Sequence, residues 1–339
     1  MMPKRRWKWI AVWTVLLTVV ALFGLNMILS VVWGFGHPIL EKNDPDTGYI
    51  VAPSQYVVRF GNLNEINRFS MRSPEIITPK PAGEFRLLMI GDSITYGTTY
   101  VDQSEIFTSL LNRDLPARLR KNVEVLNASA GGWAPGNELG YLRSRGTFDA
   151  DMVIFVINTG DLTQTFSKSL VDISPGSPSH DPSSALAEVF ERYLLPRLRH
   201  EIIADAGSKP VPVDVQRETP PKLAILGKAK TLAIQAGAYF AVVYIPAQGS
   251  EWAAYAPGFR MLKNWCKMEA VDLVDLTPEF SKCDPAQIAF DNGHGHLRPA
   301  GHAIVAKVVA DYLASGNWSR KKLPATRMST HKALTQAVP

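Results

Sequence analysis

Two stretches, far apart in the chain, carry side chains that could do chemistry together. The first is Gly91-Asp92-Ser93, which follows the apolar run Leu87–Ile90. A short continuous apolar run reads as a strand buried on both faces. A serine just past its carboxyl end stands where open parallel sheets place their ligands. Gly91 permits a tight turn, and the polar pair after it suits a helix start; taken alone, the tripeptide also serves as a plain helix cap. No Gly-Lys-Ser/Thr follows, which excludes a phosphate loop of the Walker type. The second stretch, Asp291-Asn-Gly-His294-Gly-His296-Leu-Arg-Pro-Ala-Gly-His302, holds three of the seven histidines. A nucleophilic serine needs a base within hydrogen-bond reach, and the base needs a carboxylate to fix its tautomer. Asp291 with His294 or His296 supplies both from one loop. His-x-His can also chelate zinc, but no carboxylate cluster or further upstream His completes a ligand set. No metal and no cofactor is implied.

The elements that must position these residues follow from periodicity. Strands are expected at Leu87–Ile90, Val123–Leu126, Met152–Ile157, Phe240–Ile245 and Val271–Val274. Helices are expected at Ser104–Arg118, Asn137–Arg145, Ala185–Ile203, Lys222–Ala236, Gly258–Met268 and Pro299–Leu313, the last with Pro in its first turn and Gly316 past its end. This alternation argues an α/β fold, a parallel sheet of about five strands with helices on both faces. His302 falls inside the last helix and reads as structural. Thr163–Ser183 reads as a long loop at the strand-end side, and Ala206–Pro221 as a Pro-rich insertion or linker.

The 339 residues carry a net charge of +5, which misleads if taken whole. Lys4, Arg5, Arg6 and Lys8 at one end and Arg320, Lys321, Lys322, Arg327 and Lys332 at the other meet no acids locally, so the body between is mildly acidic. That argues against a nucleic-acid surface. From Trp9 to Trp33 no residue is charged, long enough to cross a bilayer. The basic cluster before it places the N-terminus in the cytoplasm and the body outside. A cleaved signal peptide is the alternative, disfavoured by the length of the run and the lack of an Ala-x-Ala site. The expected organisation is a basic segment at 1–8, an anchor at 9–33, a stalk or accessory segment at 34–83 with one or two short strands, a catalytic body at 84–316, and a basic, disordered tail at 317–339. Cys266 and Cys283 then lie in an oxidising compartment, either as a disulfide or as free thiols.

Gly91-Asp-Ser93 near the start of the body, with Asp…His-x-x-x-x-Gly before the last helix, resembles the SGNH (GDSL-type) hydrolase superfamily over about Phe85 to Leu313. The resemblance implies a three-layer fold with Ser93 as nucleophile and Asp291 with a histidine completing the triad. It also implies backbone N–H groups of Ser93 and Gly132 as oxyanion donors, with Gly131 as another register. The family's Gly-x-Asn-Asp block departs here to Asn158-Thr-Gly-Asp161, leaving Asn158, two residues earlier on the same strand face, as the candidate third donor. The Asp-x-x-His spacing selects His294, and the spacing to the helix selects His296; His296 is the first choice. The lead-in Glu65-Ile-Asn67-Arg-Phe-Ser-Met71-Arg72 resembles membrane-anchored bacterial members that act on acylated polysaccharides. The expectation is a periplasm-facing, inner-membrane serine esterase for O-acyl, chiefly O-acetyl, esters of an acylated carbohydrate. Polysaccharide synthesis or export machinery is a possible partner. The alternatives are an O-acetyltransferase on the same substrates, or a catalytically weak carbohydrate-binding component. A lipase or thioesterase would need an apolar groove, and no apolar lid helix is visible.

Overall fold

A computed structural model describes residues 4–174, 176–197, 214–247, 251–290 and 295–320. Its first element, α1 (Lys4–Trp33), is long and apolar enough to cross a membrane. Two antiparallel hairpins follow, β1 (Glu41–Asp44) with β2 (Gly48–Val51), and β3 (Gln55–Arg59) with β4 (Asn62–Ile66). The segment therefore holds four strands rather than one or two, and Tyr49, Ile50, Val51, Ile66 and Met71 join the core of the body.

The body alternates strand and helix as expected: β5 (Phe85–Gly91), α2 (Ser93–Tyr96), α3 (Phe107–Leu119), β6 (Val123–Ser129), α4 (Pro135–Arg145) and β7 (Met152–Asn158). After a long irregular stretch come α5 (Ala185–Glu188), which continues as a widened π-type turn over Val189–Leu194, then α6 (Val215–Gln235), β8 (Tyr239–Ile245), α7 (Glu251–Met268) and β9 (Asp272–Asp275). Short helices α8 (Thr277–Phe280) and α9 (Pro285–Ile288) lead to α10 (Pro299–Ala314) and α11 (Asn317–Arg320). The five strands of the body form one parallel sheet in the order β6-β5-β7-β8-β9. The chain reverses its direction of winding beside β5, and ligands of such sheets bind in the crevice at that point, outside the strand ends.

Alternation along the strands sorts side chains into two cores. Leu88, Ile90, Leu126, Phe155 and Val242 face the layer of α4, α6 and α7 together with the first hairpin. Leu87, Met89, Val125, Ile154 and Val243 face the layer of α3 and α10. Burial on both faces explains why these strands read as unbroken apolar runs.

Two expectations change, and one open alternative is resolved. Helix α6 begins at Val215, so most of the expected linker's described end is helical: Asp214 caps it by accepting from Arg217 N–H, and Pro220 and Pro221 lie within its second turn. The tail begins with the ordered α11, where Trp318 packs on Phe85 and donates to the Leu313 carbonyl at 3.0 Å. Cys266 and Cys283 are free thiols, because they sit against opposite faces of the sheet.

The exit of α1 is tied to the carboxyl end of the sheet by a row of aromatic rings. Phe35 packs on Phe60 at 5.7 Å, Phe60 stacks on Tyr100 at 4.9 Å, and Tyr100 meets Phe290 at 6.0 Å, at the foot of the histidine loop.

Candidate active site

Ser93 opens the four-residue helix α2 directly after β5. Asp92 caps that helix, its Oδ1 accepting from Ile94 N–H at 2.9 Å. The turn has room only for glycine at 91, since a Cβ there would lie 2.1 Å from Thr95 Oγ1. Two buried side chains clamp the short helix from behind. Asn127 of β6 donates to the Thr95 carbonyl at 2.8 Å, and the Arg72 guanidinium donates to the carbonyls of Tyr96 at 2.8 Å and Val101 at 2.6 Å. Arg72 belongs to the lead-in stretch before the body, so that stretch holds the backbone that follows the serine.

The partner arrives from the far end of the chain. His296 Nε2 lies 2.9 Å from Ser93 Oγ. Its loop is closed at the base, with Phe290 N–H donating to the His296 carbonyl at 2.8 Å and Ala289 bridging Leu297. Arg298 donates from Nε to the Ala289 carbonyl at 3.0 Å and lays its guanidinium over the Phe290 ring. The structure thus brings His296 to the serine. Asp291 and His294 lie outside the described residues.

The strands beside β5 place the other candidates. Gly91 pairs with Ser129, so the loop after β6 emerges next to the serine. In it the Gly131 carbonyl accepts from Tyr49 at 2.6 Å, and the Gly132 carbonyl accepts from Ser167 at 2.6 Å and Gln164 at 3.1 Å. Gly132 holds φ +75°, a conformation that favours glycine. On the other side, Asn158 ends β7. Its Nδ2 donates to Asp92 Oδ2 at 2.8 Å, while its Oδ1 accepts from Gly160 N–H at 2.6 Å. An amide nitrogen carries two hydrogens, and this contact uses one of them. His302 is wholly buried in α10, where its Nδ1 accepts from Phe107 N–H at 3.2 Å; burial pushes its pKa down to about 3.

Sequence reading missed the acidic cluster behind the site. Asp92, Glu138 and Asp161 are all buried. Burial pushes the Asp92 carboxyl up to about 6. Burial first, and then the neighbouring carboxyls, hold Glu138 and Asp161 well above the ordinary range. Neither oxygen of Glu138 has a hydrogen-bond partner among the described residues. The signal available in the sequence was the position of Asp92 and Asp161 at strand ends; burial of Glu138 on an amphipathic helix was not readable.

No family model matches the chain, and no curated protein does. Solved structures similar to it include the lipase/acylhydrolase from Enterococcus faecalis, at 12% identity and TM-score 0.44, covering 68% of this chain and 96% of that one. A member of the lipolytic G-D-S-L family from Veillonella parvula gives 13% and 0.43, covering 67% and 97%. A variant of Axe2, an acetyl-xylooligosaccharide esterase from Geobacillus Stearmophilus, gives 17% and 0.41, covering 67% and 93%.

Proposed function

We propose that this chain is a membrane-anchored serine ester hydrolase of the SGNH (GDSL) type that removes O-acyl, chiefly O-acetyl, groups from an exported or envelope polysaccharide on the periplasmic side of the inner membrane. The observation that carries the chemistry is the 2.9 Å contact between Ser93 Oγ and His296 Nε2 at the carboxyl ends of a parallel sheet.

Ser93 Oγ attacks the ester carbonyl as His296 takes its proton, and Asp291 fixes the imidazole. The carbonyl oxygen, now negative, is received by the N–H groups of Ser93 and Gly132, with Asn158 Nδ2 as the third donor. Collapse expels the sugar hydroxyl, which takes the proton back from His296. Water, deprotonated by the same imidazole, then attacks the acyl-serine and releases the carboxylic acid and Ser93. A second sugar hydroxyl in place of that water would make the reaction a transfer.

The anchor reading is supported by how α1 is built into the fold. Trp33 accepts from Phe60 N–H at 3.0 Å and Asn26 from Leu186 N–H at 3.1 Å, so cleavage within this stretch would strip the body of partners. The cations Lys4, Arg5, Arg6 and Lys8 before the span favour a cytoplasmic N-terminus.

The test is release of acetate from a chromogenic acetyl ester and from acetylated polysaccharide by the detergent-solubilised full chain. Ser93→Ala and His296→Ala are expected to lose at least about 10³-fold in kcat, with His294→Ala near the parent. A serine-directed phosphonate should label Ser93. A parent protein no faster than Ser93→Ala on both substrates, and unlabelled, would leave a carbohydrate-binding component as the reading.

A further inference from the structure

Helix α1 is longer than a bilayer core requires. Its apolar stretch Trp7–Trp33 has 27 residues, about 40 Å of helix against about 30 Å of hydrocarbon. A span that enters at Trp9, just past Lys8, is used up near Ile28, and the remaining turn or so rises into the headgroup layer. The body grips the helix at this exit, through the bond from Leu186 to Asn26 at the boundary and, beyond it, from Phe60 to Trp33 and from the Arg59 guanidinium to the Gly34 carbonyl at 2.7 Å.

Two surfaces therefore flank α1 at headgroup depth. On one side, the turns from Ala185 to Leu194 leave Phe190 and Leu194 about half exposed. On the other, β3 exposes Tyr56 and Val58 and, with Val31, Val32 and His37, lines a cavity of about 440 Å³ against the helix. Single exposed apolar side chains need no explanation, but paired ones on both sides of a span form a patch. Aromatic and aliphatic side chains at this depth are what interfacial segments use.

We infer that this face is a lipid-contact surface: Phe190, Leu194, Tyr56 and Val58 sit at the boundary of headgroups and acyl chains, and a phospholipid fills the cavity between α1 and β3. Both flanks are pinned to the helix where it leaves the core, so a body attached there meets bilayer lipid before any other partner. The inference rests on the reading of α1 as a retained span.

The experiment uses the full chain, with Cys283→Ser to remove the accessible native thiol, in vesicles of phosphatidylcholine and phosphatidylglycerol. An environment-sensitive fluorophore is placed singly through Phe190→Cys, Leu194→Cys, Val58→Cys, Leu17→Cys within the span, and Met268→Cys at the opposite end of the sheet. Nitroxide lipids labelled near the glycerol should quench the dye at 190, 194 and 58 at least twofold more than at 268, and lipids labelled near the chain end should quench it at 17. Quenching at 17 with 190, 194 and 58 indistinguishable from 268 would overturn the lipid-contact surface alone. No quenching at 17 would overturn the span, and the surface with it.

Discussion

Asn158 links β7 to the serine turn, because its amide donates to the carboxylate of Asp92, the residue before Ser93, the proposed nucleophile. Asn158→Ala is expected to lower kcat on an acetyl ester by about 10²-fold or more with little change in KM, the signature of a donor used in the transition state. The acids behind it set a pH dependence. A carboxyl whose folded pKa is raised binds more protons folded than unfolded, so stability falls as pH rises through that window. For Asp92 the window runs from the ordinary 3.8 to about 6; for Glu138 and Asp161 it extends higher. His302 works the other way, contributing stability that is lost below its unfolded value of 6.5. Raising the pH through the window of Glu138 should therefore lower the denaturant midpoint of the parent more than that of Glu138→Gln. The meeting of Ser93 with His296 was legible because their residue types and their places before and after the sheet's helices suggest a pair. The roles of Arg72, Asn127 and Glu138 were not, because they depend on burial and on partners distant in sequence.

At the scale of elements, α2 is only four residues long and owes its place to close packing. Gly91→Ala would drive a methyl into Thr95 and toward the Val156 carbonyl, at a cost of about 1–3 kcal/mol. The expected readout is a lower melting temperature together with reduced acetyl-ester turnover. The junction of α5 with the exit of α1 rests on a buried ion pair, Arg59 Nη2 to Glu188 Oε1 at 2.7 Å, whose carboxylate also accepts from Gly36 N–H. Glu188→Ala leaves a buried guanidinium without its counter-charge and should cost about 3–5 kcal/mol, while the double change Arg59→Met with Glu188→Leu should recover much of it. Denaturant titration of the solubilised full chain measures both. The central strands were readable because burial on both faces writes an unbroken apolar run, as in Met152–Ile157. The start of α6 was not, because Pro220 and Pro221 lack the N–H that a helix interior donates to the preceding turn, so the pair reads as a break in the sequence. The hairpins were only partly readable, since short strands such as Glu41–Asp44 carry little pattern of their own.

Across the whole molecule, the segment between α1 and the sheet is part of the folded body. A chain shortened to begin at Gly34 loses the bonds to Asn26 and Trp33 but keeps both hairpins, whereas one beginning at Asp44 also loses most of β1, including the pairing of Glu41 with Val51, and should melt several degrees lower than the Gly34 chain by circular dichroism. The aromatic row from Phe35 through Phe60 and Tyr100 to Phe290 has a consequence for timing. A catalytic head on a slack tether sweeps a hemisphere and can meet a polymer anywhere within its radius, long after the polymer has left the membrane. A head packed against its helix through a row of rings has far less sweep. On the function proposed above, with α1 in a bilayer and an exported polymer as substrate, Ser93 would work in a thin layer at constant altitude, and a polymer segment would pass through that layer once, as it emerges. Which acyl groups survive would then be decided by the rate of emergence against the rate of turnover, so that slowing export should deepen deacylation without any change in the enzyme.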